Sequence, residues 1–287
     1  MAMPEANDTH IPFFLRWAGG KRWLIPVLND LFGQHTFQNY LEPFLGGGSL
    51  FLGWGHQRAE RFVLSDKEGA LIETYAAIRE NPDLVLATLE QWRPNKKNYL
   101  AIRKQEANGN KFLNAARFIF LNRLCWNGLF RVNRQGKFNV PYGKKKFPPG
   151  LDNQIRLAAS RLNGKKITLK VQDYLLSVQA ATNGDILIVD PPYVEKKLGT
   201  TPHRCYNADQ FLWSDQEKLA SECLAAAARG AVVVVTPGRG AHNLYPQSKF
   251  KKIMIFRNQV IAASADSRQK YRENLLVSRN WSRHVKG

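Results

Sequence analysis

The segment ILIVDPPYVE, residues 186–195, runs from branched apolar residues into an acid, two prolines and a tyrosine. A short run of such residues predicts a strand covered on both faces, and a residue before proline favours extended backbone. We therefore expect Asp190 at a strand's carboxyl end, the edge where ligands bind in open α/β sheets. Pro191 and Pro192 lack an N–H, so their carbonyls and the Asp190 carboxylate can only accept hydrogen bonds, while Tyr193 adds a flat face. The segment suits a flat ligand with an amino group. A strand that simply ends in a proline turn would have the same sequence pattern.

The composition indicates a globular protein with a polyanionic partner. The chain has 287 residues, of which 44% are hydrophobic, and a formal charge of +19. That excess of positive charge favours nucleic acid or an anionic membrane surface. No apolar stretch approaches the ~20 residues of a membrane span, and the polar start MAMPEANDTH is unlike a signal peptide. We expect a soluble, cytoplasmic protein.

The cysteines predict neither a disulfide framework nor a metal site. Cys125, Cys205 and Cys223 lie far apart and form no C-x-x-C pair. Zinc sites and disulfide scaffolds use closer or more numerous cysteines. We expect reduced thiols and no bound metal.

The positive charge is concentrated in one part of the chain. Residues 76–160 hold 16 Lys and Arg and 5 Asp and Glu, a net of +11. Within them, residues 111–147 contain nine basic residues and no acid, interleaved with Phe, Trp, Tyr and Asn. This mixture is typical of phosphate contacts combined with base stacking and base-edge reading, and it lacks the amphipathic helix of a membrane binder. A solvated basic surface is the alternative.

Around this basic segment, short apolar runs alternate with helical periodicity. Strands are expected near residues 39–42, 61–65, 167–171, 185–189, 231–236, 252–260 and 273–279. Helices are expected at 24–32, 67–79, 82–91, 98–106, 111–124, 153–162 and 215–228. The pattern predicts an α/β fold, a Rossmann-like and mostly parallel sheet with a helical insertion, whose last two strands form an antiparallel hairpin. We expect an α/β domain of residues 1–75 and 161–287, interrupted by a nucleic-acid-binding domain of residues 76–160.

The first turn after a predicted strand is EPFLGGGSLF, residues 42–51. Gly46, Gly47 and Gly48 would let the backbone approach a ligand closely. The next strand ends at Asp66, about the separation at which a carboxylate meets a ribose hydroxyl in nucleotide-binding units. The glycines do not form G-x-G-x-x-G, and AGGK at 18–21 is only half of a phosphate loop, so NAD and ATP are disfavoured. A later strand ends at Asp173, which could accept from an adenine amino group beside Tyr174 or could equally be a helix N-cap.

Taken together, these segments resemble the Dam-type DNA adenine-N6 methyltransferases, over about residues 11–280. The matching segments, in the family's order, are FLRWAGGKRWL (14–24), EPFLGGGSLF, LSDKEGALIETY (64–75), FLNRLCWNGLFRVNRQGKFNVPYG (120–143), IVDPPY and RQKYRENLLVSR (268–279). The resemblance implies an S-adenosylmethionine-dependent fold with a target-recognition insertion, acting on double-stranded DNA.

The resemblance also implies roles for individual residues. Catalysis falls to the D-P-P-Y residues Asp190, Pro191, Pro192 and Tyr193. Cofactor contacts fall to Trp17, Lys21, Glu42, Phe44, Gly46, Gly48, Asp66, Asp173, Tyr174 and Asp190. DNA contacts fall to Arg16, Trp126, Asn127, Leu129, Arg131, Asn133, Pro141, Lys145, Arg268 and Lys270, with Arg131 at the position that reads a guanine edge in GATC. Three positions depart from the family's usual residues: Trp126 for Tyr, Lys145 for an aromatic, and TPGRG (236–240) for Ser-Asn.

The implied chemistry accounts for the D-P-P-Y segment. An adenine N6 inside a duplex is out of reach, so the base must be flipped out. Tyr193 would then restore stacking, while Asp190 and the Pro191 carbonyl would accept from N6 and favour the positive charge that develops on it. Two rival classes remain: a nicotinamide oxidoreductase, which has no use for the basic insertion, and an RNA methylase or non-catalytic nucleic-acid-binding protein, which shares it.

Overall fold

The computed structural model describes residues 12–133, 135–164, 166–194, 211–258 and 270–283. By contact density the chain divides into two compact units, the first of Met1–Phe37 and Leu45–Gln172, the second of Gln38–Phe44 and Asp173–Gly287.

The sheet has seven strands in the order β3-β2-β1-β4-β5-β7-β6. They are β1 (Phe37–Glu42), β2 (Ala59–Asp66), β3 (Lys166–Val171), β4 (Ile186–Val189), β5 (Val232–Val235), β6 (Phe250–Asn258) and β7 (Lys270–Ser278). In the first unit β2 pairs in parallel with β3. In the second unit β4 pairs in parallel with β1 and β5, while β7 runs antiparallel to β5 and β6. The mostly parallel sheet and the closing antiparallel hairpin are therefore confirmed.

The two central strands of the second unit are built from branched residues alone. β4 reads ILIV and β5 reads VVVV, and all eight side chains are buried. Such continuous apolar runs are typical of parallel strands covered on both faces. The strands end where these runs meet Asp190 and Thr236. The sequence pattern thus fixes the edge at which the polar residues begin.

The helices are α1 (Ile25–Phe32), α2 (Ser49–Gly53), α3 (Gly69–Glu80), α4 (Pro82–Glu90), α5 (Lys96–Lys104), α6 (Lys111–Leu124), α7 (Leu151–Leu162), α8 (Tyr174–Ala180) and α9 (Trp213–Ala228). Helices α4 to α7 form the predicted insertion between β2 and β3. Three of them begin at an asparagine, because the side chains of Asn81, Asn95 and Asn110 accept from N–H groups of the first turn. Helix α6 packs against α3, α4 and α5 and forms the insertion's core.

The structure differs from the sequence prediction mainly in short elements and at element ends. Helices α2 and α8 were not predicted, because five and seven residues are too few to show a helical period. The other described ends agree or shift by at most three residues. Residues 259–260, predicted to end β6, lie outside the described residues. Helices α3 and α7 run across the expected boundaries at 75/76 and 160/161; the division into two domains stays a prediction.

Candidate active site and nucleic-acid interface

Asp190 directly follows β4, as predicted from its sequence. Its partner is Thr236, which directly follows the neighbouring strand β5, and the Thr236 hydroxyl donates to Asp190 Oδ1 over 2.5 Å. Thr236 is only 2% exposed. One carboxylate oxygen is therefore oriented by a buried donor at the carboxyl ends of two parallel strands. A carboxylate fixed in this way can accept from an amino group with little reorganisation.

The rest of the D-P-P-Y segment is also fixed. Gln216, buried in α9, donates through Nε2 to the Pro192 carbonyl over 3.0 Å. The Tyr193 hydroxyl lies 3.4 Å from Glu273 Oε2, its acceptor. Burial of this hydroxyl, together with the charges of Asp190 and Glu273, raises the pKa of Tyr193 well above its usual value. Its side chain remains 50% exposed, so an aromatic face is presented while the hydroxyl end is held.

An aromatic cluster of the second unit contains two of the predicted cofactor residues. Phe44 stacks on Tyr174 with ring centroids 5.2 Å apart, and Phe211 meets both rings edge-on at 5.9 and 5.6 Å. Burial, followed by the charge of Asp215, raises the pKa of Tyr174 to about 12. The neighbouring Asp173 accepts from the Leu175 N–H over 2.9 Å and caps α8. The N-cap alternative is thus present in the structure, and a cofactor contact of Asp173 stays a prediction.

Glu42, at the end of β1, is nearly fully buried and accepts a hydrogen bond from Tyr40 over 2.7 Å. Burial and then the Glu42 charge raise the pKa of Tyr40, so this tyrosine remains a donor. The carboxylate is held by a neighbour on the same strand.

In the first unit, the glycine turn is tied to Asp66. The Gly46 N–H donates to Asp66 Oδ2 over 2.9 Å, and the Glu68 N–H donates to Oδ1 over 3.0 Å. Gly46 has φ 48°, a left-handed conformation that glycine tolerates. Burial raises the pKa of Asp66, although these two N–H groups oppose the shift. The glycine turn and the acid at the end of β2 are therefore joined by a hydrogen bond, and their contacts with a cofactor stay a prediction.

Trp17 packs against the same turn. A methyl group on Gly46 would come within 2.7 Å of the Trp17 ring, so the absence of a side chain there is required. The Trp17 ring also stacks with Phe118 at 6.4 Å and with Phe130 at 5.9 Å. Lys21 is 3% exposed and donates through Nζ to the Gly19 carbonyl over 2.6 Å.

A cavity of about 770 Å³, formed mostly by the insertion, is lined by basic and aromatic side chains and by the two acids Glu68 and Glu106. The basic ones are Arg103, Lys104, Arg117 and Lys137, and the aromatic ones are Phe118, Phe130 and Phe138. Lys137 is paired with Glu106 at 2.5 Å on the exposed rim. Cationic and aromatic groups on one surface are the combination that binds phosphates and stacks bases.

Arg16 is held by a buried asparagine of α6. Asn122 accepts the Arg16 N–H through Oδ1 and donates through Nδ2 to the Arg16 carbonyl, both over 2.7 Å. Asn122 is 1% exposed. A methyl group on Gly128, which has φ 65°, would come within 2.6 Å of the Arg16 side chain. The predicted DNA contact at Arg16 thus starts from a rigid backbone.

The W-N-G-L segment exposes its apolar side chains. Trp126 is 56% and Leu129 is 42% exposed, between them Asn127 has φ 54°, and the Trp126 N–H donates to the Pro141 carbonyl over 2.8 Å. Exposed apolar side chains on a sharp turn suit insertion between bases.

A short hairpin carries Arg131 and Asn133. The isolated bridge Val132 to Phe138 joins its arms, and Asn133 Oδ1 accepts from the N–H groups of Gln135 and Lys137. Arg131 Nε donates to Asn139 Oδ1 over 2.7 Å.

The comparisons with known proteins identify the family. The model of the D12 class N6 adenine-specific DNA methyltransferases matches residues 17–255. The chain belongs to this family. Among its relatives, the type II methyltransferase M1.LlaDCHI of Lactococcus lactis subsp. cremoris is 30% identical over 97% of this chain and 99% of its own. A DNA adenine methylase of Vibrio cholerae serotype O1 is 29% identical over 92% of this chain and 95% of its own.

A solved structure, precorrin 8w decarboxylase from Methanobacterium thermoautotrophicum, covers 89% of this chain and 88% of its own at a TM-score of 0.35 and 10% identity. A similarity at that level carries no argument about function. The methyltransferase family, in contrast, fixes the activity: the enzyme transfers a methyl group from a methyl donor to N6 of adenine in DNA. The activity predicted from the sequence is confirmed.

The structure brings some predicted residues of the methyltransferase together and leaves others untested. Asp190 to Tyr193 form one fixed segment, and Trp17, Gly46 and Asp66 form another group. The exposed lysine Lys145 accepts at its carbonyl from the Tyr142 hydroxyl over 3.3 Å. Arg268 and the side chain of Lys270 lie outside the described residues.

Sequence reasoning missed four residues whose side chains form hydrogen bonds to the predicted site residues or to their segments: Thr236, Gln216, Asn122 and Asn139. The last two stand in the quoted segment FLNRLCWNGLFRVNRQGKFNVPYG, and Thr236 opens the unusual TPGRG. Over the described ranges, no helix is long and apolar enough to cross a membrane. Nor do three or more His, Cys, Asp or Glu residues group there as a metal ion would require.

Proposed function

We propose that the enzyme transfers the methyl group of S-adenosylmethionine to an adenine flipped out of double-stranded DNA, within GATC or a related site. The observation that carries this proposal is the fixed D-P-P-Y segment: a carboxylate oriented by Thr236, a proline segment anchored by Gln216, and a half-exposed tyrosine face. Such a segment offers only acceptors to an amino group.

The glycine turn and Asp66 fit the methyl donor. The left-handed Gly46 places the turn against the Asp66 carboxylate at the end of β2, and the remaining lone pairs of that carboxylate can accept from ribose hydroxyls. Trp17, Lys21 and Gly48 of the first unit would complete the contacts near this turn. In the second unit, Glu42, the stacked rings of Phe44 and Tyr174, and Asp173 would contact the cofactor. When bound, S-adenosylmethionine supplies a methyl group on a positively charged sulfur.

The catalytic residues act on the adenine. Its N6 lone pair is delocalised into the ring, which makes the amine a poor nucleophile. Hydrogen bonds from N6 to the Asp190 carboxylate and the Pro191 carbonyl localise that lone pair and favour the positive charge on nitrogen as it is methylated. Tyr193 stacks on the flipped base and offsets part of the few kcal/mol that unstacking costs. The surplus N6 proton leaves after transfer, so no strong base is required.

The DNA contacts fall in the basic insertion, which we assign to residues 76–160, with residues 1–75 and 161–287 as the catalytic domain. Arg131 would read a guanine edge, and Trp126, Asn127, Leu129 and Pro141 would contact or wedge into the site, together with Asn133. Arg16, Lys145, Arg268 and Lys270 would add contacts to bases or phosphates. Because its substrate is DNA, we place the enzyme in the cytoplasm, at the nucleoid.

The test is tritium transfer from labelled S-adenosylmethionine to duplex DNA and to RNA, with Asp190→Ala as the inactive control. We expect labelled methyl groups on the N6 of adenine in duplex DNA and little label in RNA. The variant should transfer at least 100-fold more slowly, which is the scale of the loss when one oriented transition-state partner is removed. Sequencing DNA from expressing cells with modification detection identifies the site. Transfer to RNA in preference to DNA, or near-normal turnover by Asp190→Ala, would overturn the proposal.

A further inference from the structure

Arg131 and Asn139 face each other across the hairpin and are joined by three hydrogen bonds. The Asn139 N–H donates to the Arg131 carbonyl over 3.1 Å. In return, Arg131 Nε donates to Asn139 Oδ1 over 2.7 Å, and Nη2 reaches the Asn139 carbonyl at 3.5 Å. The side chain of one residue is therefore tied to both the side chain and the backbone of the other.

The backbone of Asn139 is itself anchored to the core of the insertion. The next residue, Val140, is 1% exposed, and its carbonyl accepts from the Tyr99 hydroxyl over 2.8 Å and from Arg103 Nη1 over 3.0 Å. Tyr99 is fully buried in α5. Asn139 thus stands on a rigid support, whereas Arg131 is exposed and would otherwise sample many rotamers.

We propose that Asn139 is a positioning residue for sequence recognition, which holds the Arg131 guanidinium so that its two terminal amino groups point at the guanine. Guanine presents O6 and N7 as a pair of acceptors to a forked donor. Because Nε and one N–H of Nη2 are directed at Asn139, the fork offered to the base is the end formed by Nη1 and the second N–H of Nη2. A guanidinium ordered before binding loses less conformational entropy when it meets the base.

This proposal rests on the proposed function, in which Arg131 reads a guanine, and adds the residue that sets its orientation. The experiment compares kcat/KM on a duplex with the enzyme's own site and on duplexes in which a guanine of that site is replaced. Asn139→Leu removes the acceptor at similar volume, whereas Asn139→Asp keeps an acceptor for Nε. Asn153→Ala, at an exposed position of α7, is the matched control, and Arg131→Ala tests the reading residue itself.

We expect Arg131→Ala to lose discrimination at one guanine and Asn139→Leu to lose roughly 2- to 10-fold of it, the cost of ordering a long side chain on binding. Asn139→Asp should keep the discrimination ratio even if its charge weakens binding to every duplex, and Asn153→Ala should match the wild type. The slope of log K against log salt should not change in Asn139→Leu.

Full discrimination by Asn139→Leu, with discrimination lost in Arg131→Ala, overturns the positioning role and leaves the proposed function standing. If Asn139→Leu weakens binding to all duplexes equally and lowers the slope of log K against log salt, Asn139 contacts a phosphate, and the positioning role is again overturned. Retained discrimination in Arg131→Ala removes both assignments. Should Asn139→Leu fail to fold by circular dichroism, Asn139→Asp decides, because loss of its discrimination ratio contradicts the proposal.

Discussion

The Thr236 hydroxyl donates to Asp190 Oδ1 over 2.5 Å, so the residues that follow the neighbouring parallel strands β4 and β5 are joined by a hydrogen bond. Thr236 is buried, and the donor is therefore not replaced by water when its hydroxyl is removed. The carboxylate that would accept from N6 owes its orientation to a side chain of another strand.

Replacing Thr236 tests that relationship. Thr236→Val keeps the side-chain volume and removes the donor, so we expect kcat to fall about 10-fold, which corresponds to the ~1.5 kcal/mol of one hydrogen bond to a charged group. KM for DNA should change little, and Thr236→Ser, which retains the hydroxyl, should recover most of kcat. Steady-state methylation of duplex DNA measures all three enzymes. Equal losses in both variants would mean that Thr236 acts only through packing.

A second prediction concerns pH and Asp66. Burial raises the pKa of its carboxyl, so Asp66 takes up a proton at a pH where exposed aspartates are still ionised. Only the ionised form accepts from both ribose hydroxyls, and S-adenosylmethionine affinity should therefore fall as the pH drops through this raised pKa. The stability of the free enzyme depends on pH in the opposite direction. Asp66 stabilises the folded state at low pH, and this contribution is lost as the pH rises from the pKa of Asp66 in the unfolded chain to its higher pKa in the folded enzyme.

Calorimetric titration with S-adenosylmethionine between neutral and acidic pH measures the first effect. Asp66→Ala should weaken binding by about 1.5–3 kcal/mol at neutral pH, and Asp66→Asn should remove the part of the pH dependence that this carboxyl causes. Unchanged affinity in Asp66→Ala would reject the ribose assignment.

A third prediction concerns stability and Asn122. Its side chain pairs with the N–H and the carbonyl of Arg16, and it is 1% exposed. Asn122→Ala leaves both backbone groups without these partners, so the free energy of unfolding should fall by about 1–3 kcal/mol. Urea unfolding followed by circular dichroism measures this, with the exposed variant Asn153→Ala expected within ~0.5 kcal/mol of the wild type. If Asn122→Ala also stays within ~0.5 kcal/mol of the wild type, the stabilising role of the Asn122 side chain is contradicted.

The sequence predicts the sheet well because its central strands are unbroken runs of branched residues. Asp190 could be placed at a strand end for the same reason, since an acid before two prolines cannot continue such a run. Thr236 could not be paired with Asp190 from sequence, because their contact depends on which strands are neighbours in the sheet. That order is a property of the topology and leaves no local signal.

The sequence predicts the basic, helical character of the insertion better than the contacts between its side chains. The predicted starts of α4 and α6 agree with the asparagine caps at Asn81 and Asn110. The link from Arg131 to Asn139, in contrast, requires the register of a hairpin whose turn holds no simple two-residue signal. At Asp173, the sequence left a cofactor contact and a helix cap equally open, and the cap is what the folded chain shows.

The last prediction separates base reading from phosphate contact within the insertion. Lys144, Lys145 and Lys146 are exposed and consecutive, and a lysine ammonium lacks the planar fork that matches a guanine edge. We therefore expect Lys145→Ala to weaken binding to all duplexes alike and to lower the slope of log K against log salt by about 0.9, the value for one phosphate contact. Arg131→Ala should instead relax the choice of base, by about 1–3 kcal/mol at one guanine.

Binding and methylation are measured at several salt concentrations on the enzyme's own site and on duplexes altered at each guanine. Lys218→Ala removes the same charge from the exposed face of α9 and should leave the slope unchanged. Because a phosphate carries no base identity, the two insertion variants must differ in kind and not only in size. If Lys145→Ala changes the preferred sequence more than the salt slope, Lys145 contacts a base and its assignment to a phosphate is wrong.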